Sequence, residues 1–298
     1  MNGKQVFFQL QNFRGHNMPG GFTSLAEALI HSYNTYFGYM ALHNHTMLTR
    51  ESTRFAKSSF FLSRASIPIE MAYREFPILE YAEKMHMNRR IDLLANLGDH
   101  NLSASLSRRP YDAFMATPSV FPVNAHAVSD VAYCAIGQSD FQLTALQNAL
   151  VASTILNSGT LYQPSVIRSL TLDGEGNRPG RRIEVDPEAS KKRIFGSETA
   201  NYIKEAMKNV VLRGTAGGVF DAELKRGRAF FAKTGTAETK FYQDNSLFVG
   251  FAACRDGSQV VFSVIVPRSG TGAAVAGRLT AQIFREIFDF EKERGRNL

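Results

Sequence analysis

The chain has 298 residues, and 44% of them are hydrophobic, which is enough to build a sizeable buried core. Lysine and arginine number 34 against 27 acidic residues, so the formal charge of +7 favours anionic surroundings such as a polyanionic wall, a membrane face or nucleic acid. No run of like charge exceeds a few residues, which favours a solvated basic surface, and we expect no nucleic-acid partner.

The start of the chain, MNGKQVFFQLQN, lacks the sustained apolar stretch of a signal peptide, and nowhere do 18 apolar residues follow one another. We therefore expect neither a signal peptide nor a membrane anchor in this chain. The two cysteines, Cys134 and Cys254, lie in apolar contexts. We interpret them as small core residues rather than as a disulfide pair.

A capping box predicts the first helix. Ser24 is followed three residues later by a glutamate and then by an apolar face, so we expect a helix that begins near residue 25 and ends near Ser32. A second helix is expected in TYFGYMALH. The segment from Ser32 to Asn34 therefore lies at the junction between two helices.

Two more helices are predicted in the middle of the chain. Thr144 and Gln147 form another capping box, and the helix that they open should end near Gly159. Ser197 is expected to cap the next helix, which should end before the glycine-rich loop at 214–218.

The last third of the chain changes to short runs rich in β-branched and aromatic residues, typical of strands. These runs are RAFFAK, SLFVGFAAC and QVVFSVIV, and an Asp-Gly pair between the last two favours a tight hairpin. The sequence therefore predicts an α+β fold in which helices flank an antiparallel sheet.

A final helix is predicted after the last strand. Apolar residues recur at every fourth position along it, and we expect this face to pack on the sheet. The residues of the predicted face are Val275, Leu279, Ile283 and Ile287.

Lys233, Thr234 and Gly235 come directly behind an apolar β-rich run. A cation at the end of a strand can hold a substrate carboxylate, and glycine leaves room for a backbone or a ligand to approach closely. The alternative interpretation is an edge-strand lysine that guards against aggregation. The tripeptide alone does not decide between the two.

Ser32 and Asn34 also have two interpretations, because serine and asparagine are favoured at helix ends simply as caps. The order of the motifs adds information. A Ser-x-Asn at a helix junction, followed much later by Lys-Thr-Gly on a strand, a β-hairpin and a final helix, is typical of penicillin-interacting serine enzymes.

The chain resembles the transpeptidase domain of class B penicillin-binding proteins, within the superfamily that includes the serine β-lactamases. The resemblance rests on SLAEALIHSYNTYF, AIGQSDFQLTALQNALVASTILNSGTLYQPSVI, EAMKNVVLRGTAGG, FAKTGTAE and SLFVGFAAC. It covers residues 20–42 and 130–290, whereas residues 45–110 fit poorly and are interpreted as an insertion. We expect residues 1–298 to form one partial transpeptidase domain with a transpeptidase/β-lactamase-like fold, truncated at its N-terminus.

The resemblance implies a reaction. Such domains cross-link peptidoglycan, during cell elongation or division, by acyl transfer from stem peptides that end in D-alanyl-D-alanine, and β-lactams mimic that peptide. Ser32 would relay a proton, Asn34 would hydrogen-bond the substrate amide, and Lys233 would supply positive potential. No cofactor is implied.

The resemblance also implies substrate-binding roles for the three residues that follow Lys233. Thr234 and Thr236 would hold the terminal carboxylate through their hydroxyls, and Gly235 would leave space for the substrate strand. The backbone N–H of Thr236 would form half of the oxyanion hole.

The implied partners are peptidoglycan stem peptides and β-lactams, with other cell-wall synthesis proteins as further candidates. The implied location is the periplasmic face of the inner membrane.

The family attacks with a serine from a Ser-x-x-Lys motif upstream of Ser-x-Asn, and no lysine of this chain has a serine three residues before it. By resemblance, we expect the part of the domain that follows the nucleophile helix, inactive as it stands. Three hypotheses follow: a fragment of an active transpeptidase, a non-catalytic binding or scaffold relative in cell-wall synthesis, and a basic globular protein of unrelated function. The sequence does not separate the first two.

Two other motifs have simpler structural interpretations. His43 and His45 form a His-x-His pair without a third ligand at a useful spacing, so we expect no metal site. The loop GTAGG at 214–218 lacks the Lys-Ser/Thr pair that completes a phosphate-binding loop, and we interpret it as a turn.

Overall fold

The computed structural model describes residues 12, 23–49, 77–94, 114–122, 128–172, 180–239, 241–253 and 257–293. The helices in these ranges are α1 (Leu25–His31), α2 (Asn34–Thr49), α3 (Pro77–Lys84), α4 (Val128–Cys134), α5 (Ala145–Leu156), α6 (Ser197–Arg213), α7 (Asp221–Lys225) and α8 (Arg278–Glu293).

The strands in the same ranges fall into one larger antiparallel sheet and several two-stranded ones. They are β1 (Ile91–Asp92), β2 (Met115–Ala116), β3 (Thr160–Leu161), β4 (Ser169–Leu172), β5 (Arg181–Glu184), β6 (Lys192–Arg193), β7 (Ala229–Ala237), β8 (Asn245–Ala253) and β9 (Gln259–Val266). The small sheets pair β1 with β2, β3 with β6, and β4 with β5.

Two of the three predicted helix caps are confirmed. Ser24 and Thr144 each accept a hydrogen bond from the backbone N–H three residues later, at 3.2 Å, and so satisfy a donor of the first turn. The prediction for Ser197 is wrong. Ser197 is the first residue of α6, and the cap position is Gly196, which has no side chain to accept a hydrogen bond.

β7, β8 and β9 form the main sheet, in that order, and every pairing is antiparallel. The register places Lys233 opposite Val249 and Gly235 opposite Leu247. The predicted hairpin between β8 and β9 is confirmed by this pairing, although residues 254–256, and Cys254 with them, lie outside the described residues. Cys134 is buried in α4.

One face of the main sheet packs on α8 and on the turn that precedes α7 through a cluster of phenylalanine rings. The Phe230 ring stacks on Phe220 at 4.0 Å between centroids and meets Phe284 edge-on at 5.4 Å. Phe262 of β9 contacts Phe284 at 5.2 Å. Because each fully buried phenylalanine contributes about 1.5–3 kcal/mol, this cluster is a major source of the stability of the sheet.

The other face of the sheet packs on α5 and α6. Phe251 of β8 is buried there with Ala152, Ile155 and Met207, while Phe231 packs against the cluster from β7. The sheet is therefore enclosed between helices on both sides, as expected for an α+β fold in which helices flank an antiparallel sheet.

The predicted packing face of the last helix is wrong. Leu279, Ile283 and Ile287 are 41%, 42% and 37% exposed, whereas Phe284 and Phe288 are 2% exposed and face the sheet. A π-helical turn, Ala273–Gly277, precedes α8. The buried side also repeats at every fourth position, one residue later than predicted, through Ala276, Thr280, Phe284 and Phe288. The larger aromatic side chains therefore pack on the sheet in place of the aliphatic ones.

A second core lies away from the main sheet, where α2, α3 and α4 meet. Leu42, Leu79, Ala132 and Cys134 are buried together in it. Burial raises the pKa of the Cys134 thiol to about 12, which keeps it protonated and unreactive.

The predicted insertion at 45–110 falls largely outside the described residues, and its boundaries stay a prediction. Residues 77–94, the described part, contribute α3 and β1 to the surrounding structure. Among the helices that the structure describes, none is long and apolar enough to cross a membrane.

Candidate active site

The structure brings Ser32 and Lys233 into direct contact, although 201 positions separate them in the sequence. The Lys233 Nζ donates a hydrogen bond to Ser32 Oγ at 2.7 Å and a second one to the carbonyl oxygen of Thr234 at 2.9 Å. The two motifs singled out from the sequence therefore meet at the end of α1 and on β7.

The end of α1 gives Ser32 its position. Ala28 and Ile30 are buried and anchor the helix, and Ser32 follows its last turn in the left-handed conformation, with φ 57° and ψ 50°. The backbone N–H groups of Ser32 and Tyr33 both point to the carbonyl oxygen of Ala28, which closes the helix. The left-handed residue redirects the chain, so that its side chain faces β7 and α2 can begin at Asn34.

Asn34 is the first residue of α2, and a side chain from far upstream caps this helix. Asn12 Oδ1 accepts hydrogen bonds from the Thr35 N–H at 3.0 Å and from the Thr35 hydroxyl at 3.1 Å. Sequence reasoning missed Asn12, because a cap supplied across 23 positions leaves no local pattern.

Burial controls the charge on Lys233. Removal of the ammonium from water lowers its pKa to about 8. Near neutral pH the side chain is therefore a cation that loses its proton easily. Such a group can attract an anionic ligand, and it can also exchange a proton with the Ser32 hydroxyl that it touches.

The opposite face of β7 is held by hydroxyl groups. Thr234 Oγ1 and Thr215 Oγ1 lie 2.6 Å apart and share a hydrogen bond. The Thr215 N–H donates to the carbonyl oxygen of Ile30 at 3.2 Å, so the same loop also holds the end of α1. Sequence reasoning interpreted this loop only as a turn and missed Thr215; its position next to Gly214 was the available signal.

Gly214 allows that loop to approach α1. A Cβ atom at this position would lie 2.5 Å from the carbonyl oxygen of Ile30, a distance that a real Cβ does not adopt. The glycine therefore permits the close contact between the loop and the end of α1 from which Ser32 projects.

The Thr236 hydroxyl accepts a hydrogen bond from the Gly272 N–H at 3.2 Å. A hydroxyl also carries one proton to donate, so the Thr236 O–H can still bind an acceptor. The neighbouring Gly235 has a different local role. A Cβ there would lie 3.1 Å from the Leu247 Cβ, so its close contact in the structure is with the adjacent strand. The predicted space for a substrate strand stays a prediction.

β7 lies at an edge of the three-stranded sheet, because β8 is its partner on one side and no described strand pairs with its other side. An exposed strand edge offers N–H and C=O groups to an extended peptide. The contact between Lys233 and Ser32 lies on this strand. Within the described ranges, no three histidine, cysteine, aspartate or glutamate side chains form a cluster that could hold a metal ion.

A family model, the penicillin binding protein transpeptidase domain, matches residues 3–289. The chain belongs to this family. The resemblance inferred from the motif segments is thereby confirmed.

Two curated relatives from Bacillus subtilis are similar in sequence. The stage V sporulation protein D is 29% identical over 181 residues, which are 57% of this chain and 26% of that protein. Penicillin-binding protein H is 33% identical over 144 residues, which are 45% of this chain and 19% of that protein. The matched part of the chain thus spans about a quarter or less of either relative.

Solved structures show the fold. The D,D-transpeptidase domain of a peptidoglycan glycosyltransferase from Eggerthella lenta superposes with a TM-score of 0.61 at 20% identity, over 95% of this chain and 59% of that chain. Penicillin-binding protein A from Mycobacterium tuberculosis, as its imipenem acyl-enzyme complex, gives 0.55 at 20% identity, over 92% and 50%. The predicted transpeptidase-like α+β fold is confirmed.

Proposed function

We propose that this chain forms the substrate-holding and proton-relay part of a peptidoglycan D,D-transpeptidase site, which acts in cell-wall synthesis on stem peptides ending in D-alanyl-D-alanine. The 2.7 Å contact between Lys233 Nζ and Ser32 Oγ carries this proposal. If Ser32 were only a helix cap and Lys233 only an edge-strand lysine, nothing would require the two side chains to be in contact. Catalytic groups that act on one substrate must lie within hydrogen-bond reach of it.

The proposed substrate binding depends on the charge of Lys233, on the Thr236 hydroxyl and on the edge of β7. The partly buried ammonium of Lys233 attracts the terminal carboxylate more strongly than a fully exposed lysine would, because water screens it less. The Thr236 O–H, whose acceptor side is used by Gly272, donates to one carboxylate oxygen. The open edge of β7 aligns the peptide as an additional strand.

The proton relay uses Ser32. In the transfer, a serine oxygen attacks the carbonyl carbon of the penultimate D-alanine, an ester forms, and the bond to the terminal D-alanine breaks. The departing amine must gain a proton. Ser32 passes its hydroxyl proton to that amine and recovers one from the Lys233 ammonium, whose pKa of about 8 favours the transfer. The proton that the attacking serine releases as the ester forms restores the ammonium, so the protons balance. Asn34, at the start of α2, holds the substrate amide.

The attacking serine itself is not supplied by a Ser-x-x-Lys motif in these 298 residues. The N–H of Thr236 would provide one oxyanion donor, and the loss of a single such donor costs about 100- to 1,000-fold in rate. We therefore propose that the polypeptide of these residues binds D-alanyl-D-alanine peptides and β-lactams reversibly and does not form an acyl-enzyme.

Binding and acylation are tested separately with the purified chain. A fluorescent penicillin should leave no covalent label after denaturation. A fluorescent peptide ending in D-alanyl-D-alanine should bind reversibly, and Lys233→Ala should weaken its binding about 10- to 150-fold, since hydrogen bonds to charged groups contribute about 1.5–3 kcal/mol. Lys225→Ala, which removes an exposed lysine from α7, is the charge-matched control and should leave binding unchanged.

Two outcomes would contradict the proposal. An adduct located by mass spectrometry on any serine would show that the nucleophile has been misassigned. If the folded wild-type chain binds no D-alanyl-D-alanine peptide, the result would favour the non-catalytic scaffold role instead. The same holds if Lys233→Ala keeps the wild-type melting temperature and binds the peptide equally well.

A further inference from the structure

The connection between β7 and β8 presents two adjacent aromatic side chains to solvent. Phe241 is 82% exposed and Tyr242 is 59% exposed. Single exposed apolar residues are common, whereas these two are neighbours. They follow Thr236 by only five and six positions, in the connection that leaves the active-site strand.

This connection is held in a defined shape. The Thr239 hydroxyl donates to the carbonyl oxygens of Tyr242 at 2.6 Å and Gln243 at 3.1 Å. The Thr239 N–H donates to Asp244 Oδ1 at 3.2 Å. These hydrogen bonds link Thr239 to the segment 242–244, and they hold the backbone from which Tyr242 presents its ring.

Arg268 packs on this ring from the turn after β9. Its guanidinium carbon lies 3.8 Å from the centre of the Tyr242 ring. Its backbone has φ +53°, a left-handed value that is uncommon outside glycine and asparagine, and its N–H donates to Asn245 Oδ1 at 3.0 Å. The next two N–H groups, of Ser269 and Gly270, donate to the carbonyl oxygen of Asp244 at 2.9 Å.

The guanidinium of Arg268 has no carboxylate partner among the residues that the structure describes. The guanidinium lies over the Tyr242 ring, which restrains it, and the Arg268 side chain is exposed to solvent. A planar cation with a restrained orientation and free donors is suited to bind a carboxylate through two parallel hydrogen bonds.

The segment that carries Arg268 also touches the active-site strand. Gly272, four positions further on, donates its N–H to the Thr236 hydroxyl. Four residues span at most about 14 Å when extended, so Arg268 lies within that reach of the Thr236 contact.

We propose that Arg268, stacked on Tyr242, binds a carboxylate on the stem peptide upstream of its terminal D-alanyl-D-alanine. This inference rests on the proposed function. If Lys233 holds the terminal carboxylate and Thr236 faces the scissile carbonyl, an antiparallel peptide on β7 continues past Ala237 towards the Tyr242 turn. At about 3.3 Å per residue, a side chain two to four residues before the C-terminus approaches the level of Ala237, whose partner Asn245 accepts the hydrogen bond from the Arg268 N–H.

Two fluorescent peptides test the proposal by anisotropy. Both end in D-alanyl-D-alanine, and three residues before the C-terminus one carries a glutamate and the other a glutamine. The chain should bind the glutamate peptide about fivefold more tightly, as expected for an accessible ion pair with good geometry. Arg268→Asn should abolish this preference and leave the affinity for the glutamine peptide unchanged. Asparagine tolerates the left-handed backbone, so the turn should keep its shape.

Two further variants check how the cation is held. Tyr242→Leu removes the aromatic ring and should reduce the preference, whereas Tyr242→Phe keeps the ring and should retain it. Arg285→Gln, which removes an exposed arginine from α8, is the charge-matched control and should change nothing. Added salt should reduce the preference of the wild type.

The outcomes separate this inference from the proposed function. If both peptides bind equally and binding depends on Lys233, only the role of Arg268 is overturned. If the preference survives Arg268→Asn, another cation is responsible and the inference is equally wrong. If neither peptide binds to the folded chain, the proposed function and this inference fail together.

Discussion

The two faces of β7 hold their polar residues in different ways. On one face, the partly buried Lys233 contacts Ser32, and partial removal from water lowers its pKa to about 8. On the other face, Thr234 and Thr236 meet Thr215 and the N–H of Gly272 through neutral hydrogen bonds. The cation face is therefore sensitive to pH, whereas the hydroxyl face depends on how closely neighbouring backbone segments approach the strand.

The two faces meet at the end of α1. The carbonyl oxygen of Ile30 accepts a hydrogen bond from the backbone N–H of Thr215. Ser32, two positions later, accepts one from the Lys233 ammonium through its hydroxyl. A change on the hydroxyl face can thus reach the cation face through α1. The three experiments below perturb the faces separately and then test this connection.

The largest effect is expected from Gly272→Ala, which breaks the hydroxyl face. An added Cβ would lie 2.5 Å from the carbonyl oxygen of Gly235 and 2.7 Å from that of Leu247, and both belong to strand backbone that cannot swing aside. We expect the free energy of unfolding to fall by about 3 kcal/mol, the upper part of the usual range for overpacking. Urea denaturation measures it.

Gly196→Ala is the matched control for this substitution. It lies at the cap position of α6, and no atom stands within 4 Å of its added Cβ. Its cost should stay within about 1 kcal/mol, as for other cap substitutions. Equal stability losses for the two variants would show that the Gly272 contact with β7 and β8 is not tight.

The second effect is the response of the cation face to pH. A bound carboxylate raises the pKa of Lys233 above the value of about 8 that it has in the folded chain without ligand. Peptide affinity should therefore be constant below pH 8 and fall above it, by up to about tenfold per pH unit. Lys233→Arg should bind without this decline, because its guanidinium stays charged. A flat profile for the wild type between pH 7 and 10 would contradict the assignment.

The contribution of Lys233 to the free energy of unfolding should rise with pH, whereas peptide affinity should fall. The ordinary lysine pKa is 10.5 and the folded value is about 8, so between these values the unfolded chain binds more protons than the folded chain. The contribution of Lys233 to stability accordingly rises with pH across this interval. If peptide affinity falls above pH 8, the cause is therefore neutralisation of Lys233, because deprotonation of Lys233 does not destabilise the folded chain.

Much of the fold could be predicted because it is locally encoded. The caps at Ser24 and Thr144 are local patterns, and the Asp-Gly pair between two β-rich runs predicted the hairpin of β8 and β9. The meeting of Ser32 and Lys233 followed from the order of motifs in a known family rather than from either motif alone.

The missed features depend on tertiary packing. Two fourfold patterns run along α8, offset by one residue, and the spacing alone does not tell which one faces the sheet. Phe284 is buried in one of them, whereas Ile283 is exposed in the other. Thr215 and Asn12 act through hydrogen bonds to distant elements, which leave no spacing to detect. Such contacts become apparent only when the chain has folded.

The smallest effect tests whether the hydroxyl face positions the cation face. Thr215→Val keeps the shape of the side chain and removes the 2.6 Å hydroxyl contact with Thr234, so stability should fall by about 1 kcal/mol, the usual contribution of a neutral hydrogen bond. Thr215→Ser retains a hydroxyl and should lose less. Because the loop also holds the end of α1, Thr215→Val should weaken D-alanyl-D-alanine peptide binding, though less than Lys233→Ala does. Unchanged affinity in a destabilised Thr215→Val chain would show that Thr215 stabilises the fold without positioning the Lys233–Ser32 pair.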